Sequence, residues 1–282
     1  MIAKILAPLD GTEIAEAGLT WAEHAAARCG AGIRLLTVVE QAGGDSNGHS
    51  EQAEGYLRQH RDRLEAKGLS VESEVAVGTA TDHILSQAKT ADLTVMTSGT
   101  TRWLISAVLD LVLQDMRRPV VVARGVPGQT PSPPNLSKIL VPLDKGSYSL
   151  HILPTAQKVA KALGASIILC HTVLPMGQHR DATDAPPGVA RIIEEELGEA
   201  RRFLAPVAEQ IEKDGVAVEI VVTMGDAPRE IIRIADRSQA GLIAMATRGR
   251  DRLEKRIVGS VANIVVETTN LPCLLARPDA AE

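Results

Sequence analysis

The residues best equipped for chemistry lie in one stretch, Ala246-Thr247-Arg248-Gly249-Arg250-Asp251-Arg252-Leu253-Glu254-Lys255-Arg256-Ile257-Val258-Gly259-Ser260-Val261. It holds two glycines, four arginines, a lysine and a serine at the start of a predicted helix. The first turn of a helix carries unpaired N–H groups and partial positive charge, so it attracts anions. Gly259 lets an oxygen-bearing group come close to the backbone, Ser260 adds a hydroxyl donor, and Gly249 bends the loop where a Cβ would resist. Arg248, Arg250 and Arg252 add charge. These types in this order suit a phosphate cradle. Composition alone leaves a solvated basic loop as the alternative.

The elements around the stretch fit that chemistry. Leu242-Ile243-Ala244-Met245 reads as a buried strand leading into it. Val261, Ile264, Val265 and Thr268 recur at i, i+3, i+4 and i+7, which predicts a helix with those residues on its packed face.

The chain repeats itself. Lys4-Ile5-Leu6-Ala7-Pro8-Leu9-Asp10 returns as Lys138-Ile139-Leu140-Val141-Pro142-Leu143-Asp144. Pro119-Val120-Val121-Val122-Ala123-Arg124 corresponds to Pro272-Cys273-Leu274-Leu275-Ala276-Arg277. A repeat of this length predicts two similar domains, 1–124 and 138–282, rather than a solenoid. Between them, 125–137 is proline-rich and reads as the linker. In each unit strands alternate with helices, which predicts an α/β fold with a parallel sheet and helices on both faces. In the first unit Thr12 is the expected N-cap of a helix from Glu13 to Cys29. In the second, helices are expected over Ser149–Leu163, with Pro154 in its first turn, and over Arg191–Lys213, bent by Pro206. Asp226 is the expected cap of a further one. Ligands of such sheets bind beyond the carboxyl ends of the strands, where strand order reverses. The basic loop, Asp10 and Asp144 all fall at such ends.

Composition excludes several classes. Of 282 residues, 45% are hydrophobic and only 2% aromatic, so the core must be aliphatic. Thirty basic against thirty-five acidic residues leave a net charge of -5. That charge and the scarcity of aromatic stacking platforms argue against nucleic-acid binding. The cysteines, Cys29, Cys170 and Cys273, are odd in number and far apart, which argues for a reducing compartment and against a disulfide framework or a zinc site. The seven histidines form no ligand cluster, since His171 and Cys170 face opposite ways in a strand. No export signal and no run of apolar residues long enough to span a membrane is evident, so the cytoplasm is expected, with no membrane partner.

Both units resemble the universal stress protein domain over essentially their whole length. The resemblance rests on the Ile-Leu-Val-Pro-Leu-Asp opening, the closing Pro-Cys-Leu-Leu, and the loop with nine residues between Gly249 and Gly259, followed by Ser260. Ala246 stands where that loop has its first glycine. Two such domains resemble the tandem members of the family. The resemblance implies, for each domain, a Rossmann-like, HUP-type fold with a five-stranded parallel sheet flanked by helices. It implies ATP as the ligand, with or without Mg2+, and a non-catalytic role in stress response or signalling.

The resemblance also implies the site residues. Asp144, after Pro142 and Leu143, would contact the adenosine part, and Val173 would meet adenine through its backbone. Ala246, Thr247, Arg248, Gly249 and Arg250 would line the phosphate loop. Gly259, Ser260 and Val261 would grip phosphate through N–H groups and the Ser260 hydroxyl. On residues alone, Asp144 reads equally as a helix cap and Val173 as core.

The first unit departs from this pattern. Aligning Pro119 with Pro272 puts Ser106 at the place of Gly259 and Ala107 at that of Ser260, and Thr101-Arg102-Trp103-Leu104-Ile105 is bulky with a single charge. A phosphate cradle is expected in the second unit only, with the first pairing to it through the final strands. Homodimer formation is left open. A nucleotide-independent scaffold or chaperone-like role is the competing function. An enzyme is disfavoured because the sequence carries no Walker loop, no nucleophile elbow and no pyrophosphatase loop.

Overall fold

A computed structural model describes residues 1–40, 46–99, 107–129, 132–175, 183, 185–247 and 260–277. In chain order the first half gives β1 (Lys4–Pro8), α1 (Glu13–Cys29), β2 (Gly32–Val39), α2 (Ser46–Glu65), β3 (Val71–Val77), α3 (Ala80–Ala88), β4 (Leu93–Ser98), α4 (Ala107–Asp115) and β5 (Val120–Arg124). The second half gives β6 (Lys138–Pro142), a 3-10 turn (Ser149–Ile152), α5 (Leu153–Leu163), β7 (Ser166–Val173), α6 (Pro187–Lys213), β8 (Val218–Met224), α7 (Ala227–Ser238), β9 (Leu242–Ala246), α8 (Ser260–Thr268) and β10 (Cys273–Ala276).

Local sequence sets the element ends. Thr12 accepts a hydrogen bond from the Ala15 N–H and caps α1, and Asp226 accepts from Arg229 and caps α7. Gly30 and Gly164 end α1 and α5 in the left-handed conformation, which glycine adopts at no steric cost. Pro154 lies in the first turn of α5, where no N–H is missed. Pro206 lies inside α6, which continues through it. Pro206 and Arg202, whose carbonyl loses its partner, both lie on the solvent side.

Among the described residues, all ten strands form one sheet in the order β3-β2-β1-β4-β5-β10-β9-β6-β7-β8. Within each half the pairings are parallel. The halves meet where β5 and β10 run antiparallel, with Val121 opposite Leu274. Each half therefore repeats one strand order, outward from the junction.

The alternation of side chains along each strand feeds two cores. Ile5, Ile33, Ile139 and Ile167 point to one face and pack with Leu19 of α1, Leu64 of α2, Val159 of α5 and Ile211 of α6. Leu6, Leu36, Leu140 and Ile168 point to the other and pack with Ile84 of α3, Leu109 of α4, Ile234 of α7 and Val265 of α8. Each such fully buried aliphatic side chain contributes about 1.5–3 kcal/mol relative to exposure.

One sequence expectation needs correction. The buried face of α8 carries Ala262, Val265, Val266 and the following Thr269, whereas Val261 and Ile264 are exposed, and Thr268 is exposed as well. The apolar positions of this helix form two overlapping stripes. The sheet takes the one whose small Ala262 allows close approach.

Candidate functional site at the carboxyl ends of β6 and β9

Strand order reverses between β6 and β9. The chain leaves β6 through α5 on one face of the sheet and leaves β9 through α8 on the other. The ends of these two strands thus diverge into a crevice of the kind in which open α/β sheets bind ligands.

On the β6 side, Leu143 is held by its N–H, which donates to the Cys170 carbonyl at 2.8 Å. Its own carbonyl accepts from His171 Nδ1 at 2.7 Å, so that nitrogen carries the proton. His171 is buried, and its ring meets Phe203 of α6 edge-on. Asp144 follows, exposed, and its Oδ1 accepts from the Gly146 N–H at 3.0 Å. Asp144 therefore braces its own turn. The equivalent Asp10 does the same, accepting from the N–H and the hydroxyl of Thr12.

Val173 ends β7, buried, and packs with Ile193 and Ala200 of α6. Its carbonyl accepts from the Gly225 N–H at 2.9 Å, which leaves the second lone pair of that oxygen.

On the β9 side, the Thr247 N–H donates to the Ala276 carbonyl at 2.8 Å. Tyr148, just before the 3-10 turn, donates its hydroxyl to the Thr247 carbonyl and so ties the two walls together. Thr247 is 1% exposed, and its hydroxyl has no hydrogen-bond partner among the described residues. A buried hydroxyl without a partner costs roughly 1–3 kcal/mol. Ser260 and Val261 open α8, and both are exposed.

Pro142, Leu143, Asp144, Val173, Ala246, Thr247, Ser260 and Val261 are thus placed at one edge of the second half. Arg248, Gly249, Arg250 and Gly259 lie outside the described residues. Sequence inspection did not single out Tyr148. Its signal was its position four residues after Asp144, where the first half has Ile14 after Asp10.

The first half builds its corresponding edge differently. Strand register matches Met96 to Met245 and Ser98 to Thr247, and α4 begins at Ala107 where α8 begins at Ser260. The connection 99–106 is therefore four residues shorter than 248–259. Ile14 lies against Gly125, where an added Cβ would fall 2.6 Å from the Ile14 carbonyl oxygen. Gly128 reaches Glu13 through its N–H. The start of the linker thus packs over the opening of α1.

The universal stress protein family matches residues 1–124 and 135–277. The chain belongs to the universal stress protein family. The universal stress protein MJ0531 of Methanocaldococcus jannaschii is 28% identical over 152 residues, covering 51% of this chain and 84% of that one. The universal stress protein Sll1388 of Synechocystis is 27% identical over 149 residues, covering 50% and 97%. A solved universal stress protein from Archaeoglobus fulgidus superposes over 98% of each chain with a TM-score of 0.73 at 20% identity, which shows the shared fold. Among the described residues, this universal stress protein has no cluster of side chains able to hold a metal ion, and no helix long and apolar enough to cross a membrane.

Proposed function

We propose that this universal stress protein binds ATP, with or without Mg2+, in the crevice between β6 and β9, at one site per chain. The observation that supports this most is that the buried Thr247 hydroxyl just after β9, which has no partner among the described residues, and the start of α8 at Ser260 both fall at the reversal of strand order. The intervening sequence supplies Arg248, Arg250, Arg252, Lys255 and Arg256 against Asp251 and Glu254, a net cationic loop suited to a polyphosphate. Asp144 and the second lone pair of the Val173 carbonyl face the adenosine end of such a ligand. The shorter connection after β4 and the Ile14–Gly125 contact support an N-terminal half that takes no triphosphate.

The role is sensing or signalling rather than catalysis, because the described part of the crevice offers no general base beside the phosphate end. Domains 1–124 and 138–282, joined by 125–137, would pair within one chain through the antiparallel β5–β10 ladder. A reducing compartment such as the cytoplasm suits the cysteines. Cys170 and Cys273 are buried without disulfides, and burial pushes their thiols up to about 12.

Calorimetric titration of the purified chain with ATP tests this. The expected result is one site per chain, lost in Gly259→Glu, whose carboxylate would fill and repel the phosphate position. Two sites per chain, or equal binding by the variant, would overturn it.

A further inference from the structure

The two halves exchange arginines. Arg124 ends β5, and its Nη1 donates to the Glu267 carbonyl at 2.8 Å and to the Thr269 carbonyl at 3.4 Å. Glu267 lies in the last turn of α8 and Thr269 just beyond its end. Arg277, its counterpart after β10, donates to the Gln114 carbonyl near the end of α4. The exchange follows from the antiparallel β5–β10 pairing, which carries each strand's C-terminal end under the other half's last helix.

The two contacts are alike in chemistry and unlike in consequence. A guanidinium among the last carbonyls of a helix satisfies unpaired acceptors and opposes the negative end of the helix dipole. A helix of nine residues is a stiff rod about 13 Å long, so fixing one end sets the height and rotation of the other. The other end of α4 is Ala107. The other end of α8 is Ser260, the first residue after the basic loop.

We propose that Arg124, supplied by the half that takes no triphosphate, is a positioning residue for the phosphate-gripping turn of α8. This rests on the nucleotide reading above. It gives the N-terminal half a task in binding: Arg124 holds the far end of the helix whose near end meets the ligand. Arg277 is the internal control, since it makes the same kind of contact to a helix that carries no cradle.

The test uses the full chain and the variants Arg124→Ala, Arg124→Lys and Arg277→Ala. ATP and adenosine titrations are paired with hydrogen exchange of α4 and α8. Arg124→Ala is expected to weaken ATP about tenfold, to leave adenosine unchanged and to speed exchange along 260–268. Arg124→Lys keeps the charge without the planar fork and should weaken ATP about threefold; it carries the test if the alanine variant does not fold. Arg277→Ala should speed exchange in 107–115 and leave ATP affinity as it was. Unchanged ATP affinity and α8 exchange in both Arg124 variants would overturn the proposal, as would an equal loss of ATP affinity in Arg277→Ala. Should the unaltered chain bind no ATP, the nucleotide reading fails and the proposal falls with it; ATP bound by the unaltered chain but unmoved in both Arg124 variants overturns the proposal alone.

Discussion

Thr37 and His171 occupy the same place in the two halves, and each donates a hydrogen bond to the carbonyl that follows the half's first strand. Thr37 Oγ1 reaches the Leu9 carbonyl at 3.0 Å, and His171 Nδ1 reaches the Leu143 carbonyl at 2.7 Å. The bond holds the chain at the point where it turns toward Asp10 or Asp144. Removing the donor leaves a buried carbonyl without that partner. His171→Ala is expected to destabilise the protein by roughly 2–4 kcal/mol, combining the lost bond with the cavity beside Phe203. His171→Thr, which copies the first half, should recover part of that loss. Chemical denaturation of both variants checks this, and equal stabilities for the two would refute the shared role.

The repeat made most of this fold legible. Matching openings, matching closing strands, and helix caps such as Thr12 and Asp226 marked the elements of each half. The β5–β10 junction lies far apart in sequence and leaves no local periodicity to read; pairing through the final strands was an expectation from the family resemblance alone. The face of α8 was misassigned because Val261 and Ile264 carry a stronger apolar signal than Ala262 and Thr269, which the sheet buries. Of the candidate site, Ser260 was read from its type and its place at a helix start, while Asp144 and Thr247 took their roles from the family resemblance. Tyr148 and Arg124 were not legible, because each acts on a backbone carbonyl of a distant element, and any residue type can supply a carbonyl.

Gly241 shows how the linker enters the second half. In the first half, the Asp92 carboxylate accepts from the Ala3 N–H at 2.8 Å. At the equivalent place Gly241 has no side chain, and the Asn135 side-chain oxygen accepts from the Ser137 N–H at 3.1 Å instead. The Asn135 backbone occupies the space a side chain would need, and a Cβ on Gly241 would overlap its carbonyl oxygen. Gly241→Ala is therefore expected to cost about 3 kcal/mol or more, because backbone must move. Gly55→Ala, on α2 where an added Cβ meets nothing, should stabilise by roughly 0.5–1 kcal/mol. Thermal melting of the two variants checks both signs.

Asp92 also links the halves, since Lys158 of α5 donates to its Oδ1 at 2.7 Å. Burial opposes its charge, but the Lys158 hydrogen bond and the N–H groups of Ala3 and Lys4 outweigh it and hold the carboxyl below the usual aspartate range. A folded-state pKa below the unfolded one contributes stability that is full above the unfolded value, about 3.9, and lost as pH falls through the folded value. Asp92→Asn should therefore be less stable than the parent by roughly 1.5–3 kcal/mol at neutral pH. The gap should narrow as pH falls below the usual aspartate range. Urea denaturation across pH 7 to 3 measures it, and a gap that persists in acid would show that charge is not its source.

Tyr148 offers the most direct probe of the crevice without touching the basic loop. Its hydroxyl donates to the Thr247 carbonyl, while Ile14, at the matching position of the first half, packs beside Gly99 and Gly125. Losing the hydroxyl releases the carbonyl at which the chain leaves β9 for the loop, so the loop's root gains freedom that a ligand must then remove. Tyr148→Phe is expected to weaken ATP about three- to tenfold, while the melting temperature falls by only about 2–4 °C. Tyr148→Ile, which imitates the first half, should weaken ATP further by removing the aromatic wall as well. Titration of both variants alongside their melting curves separates the two effects. ATP affinity unchanged in Tyr148→Phe would mean that the bridge across the crevice holds the fold and not the ligand.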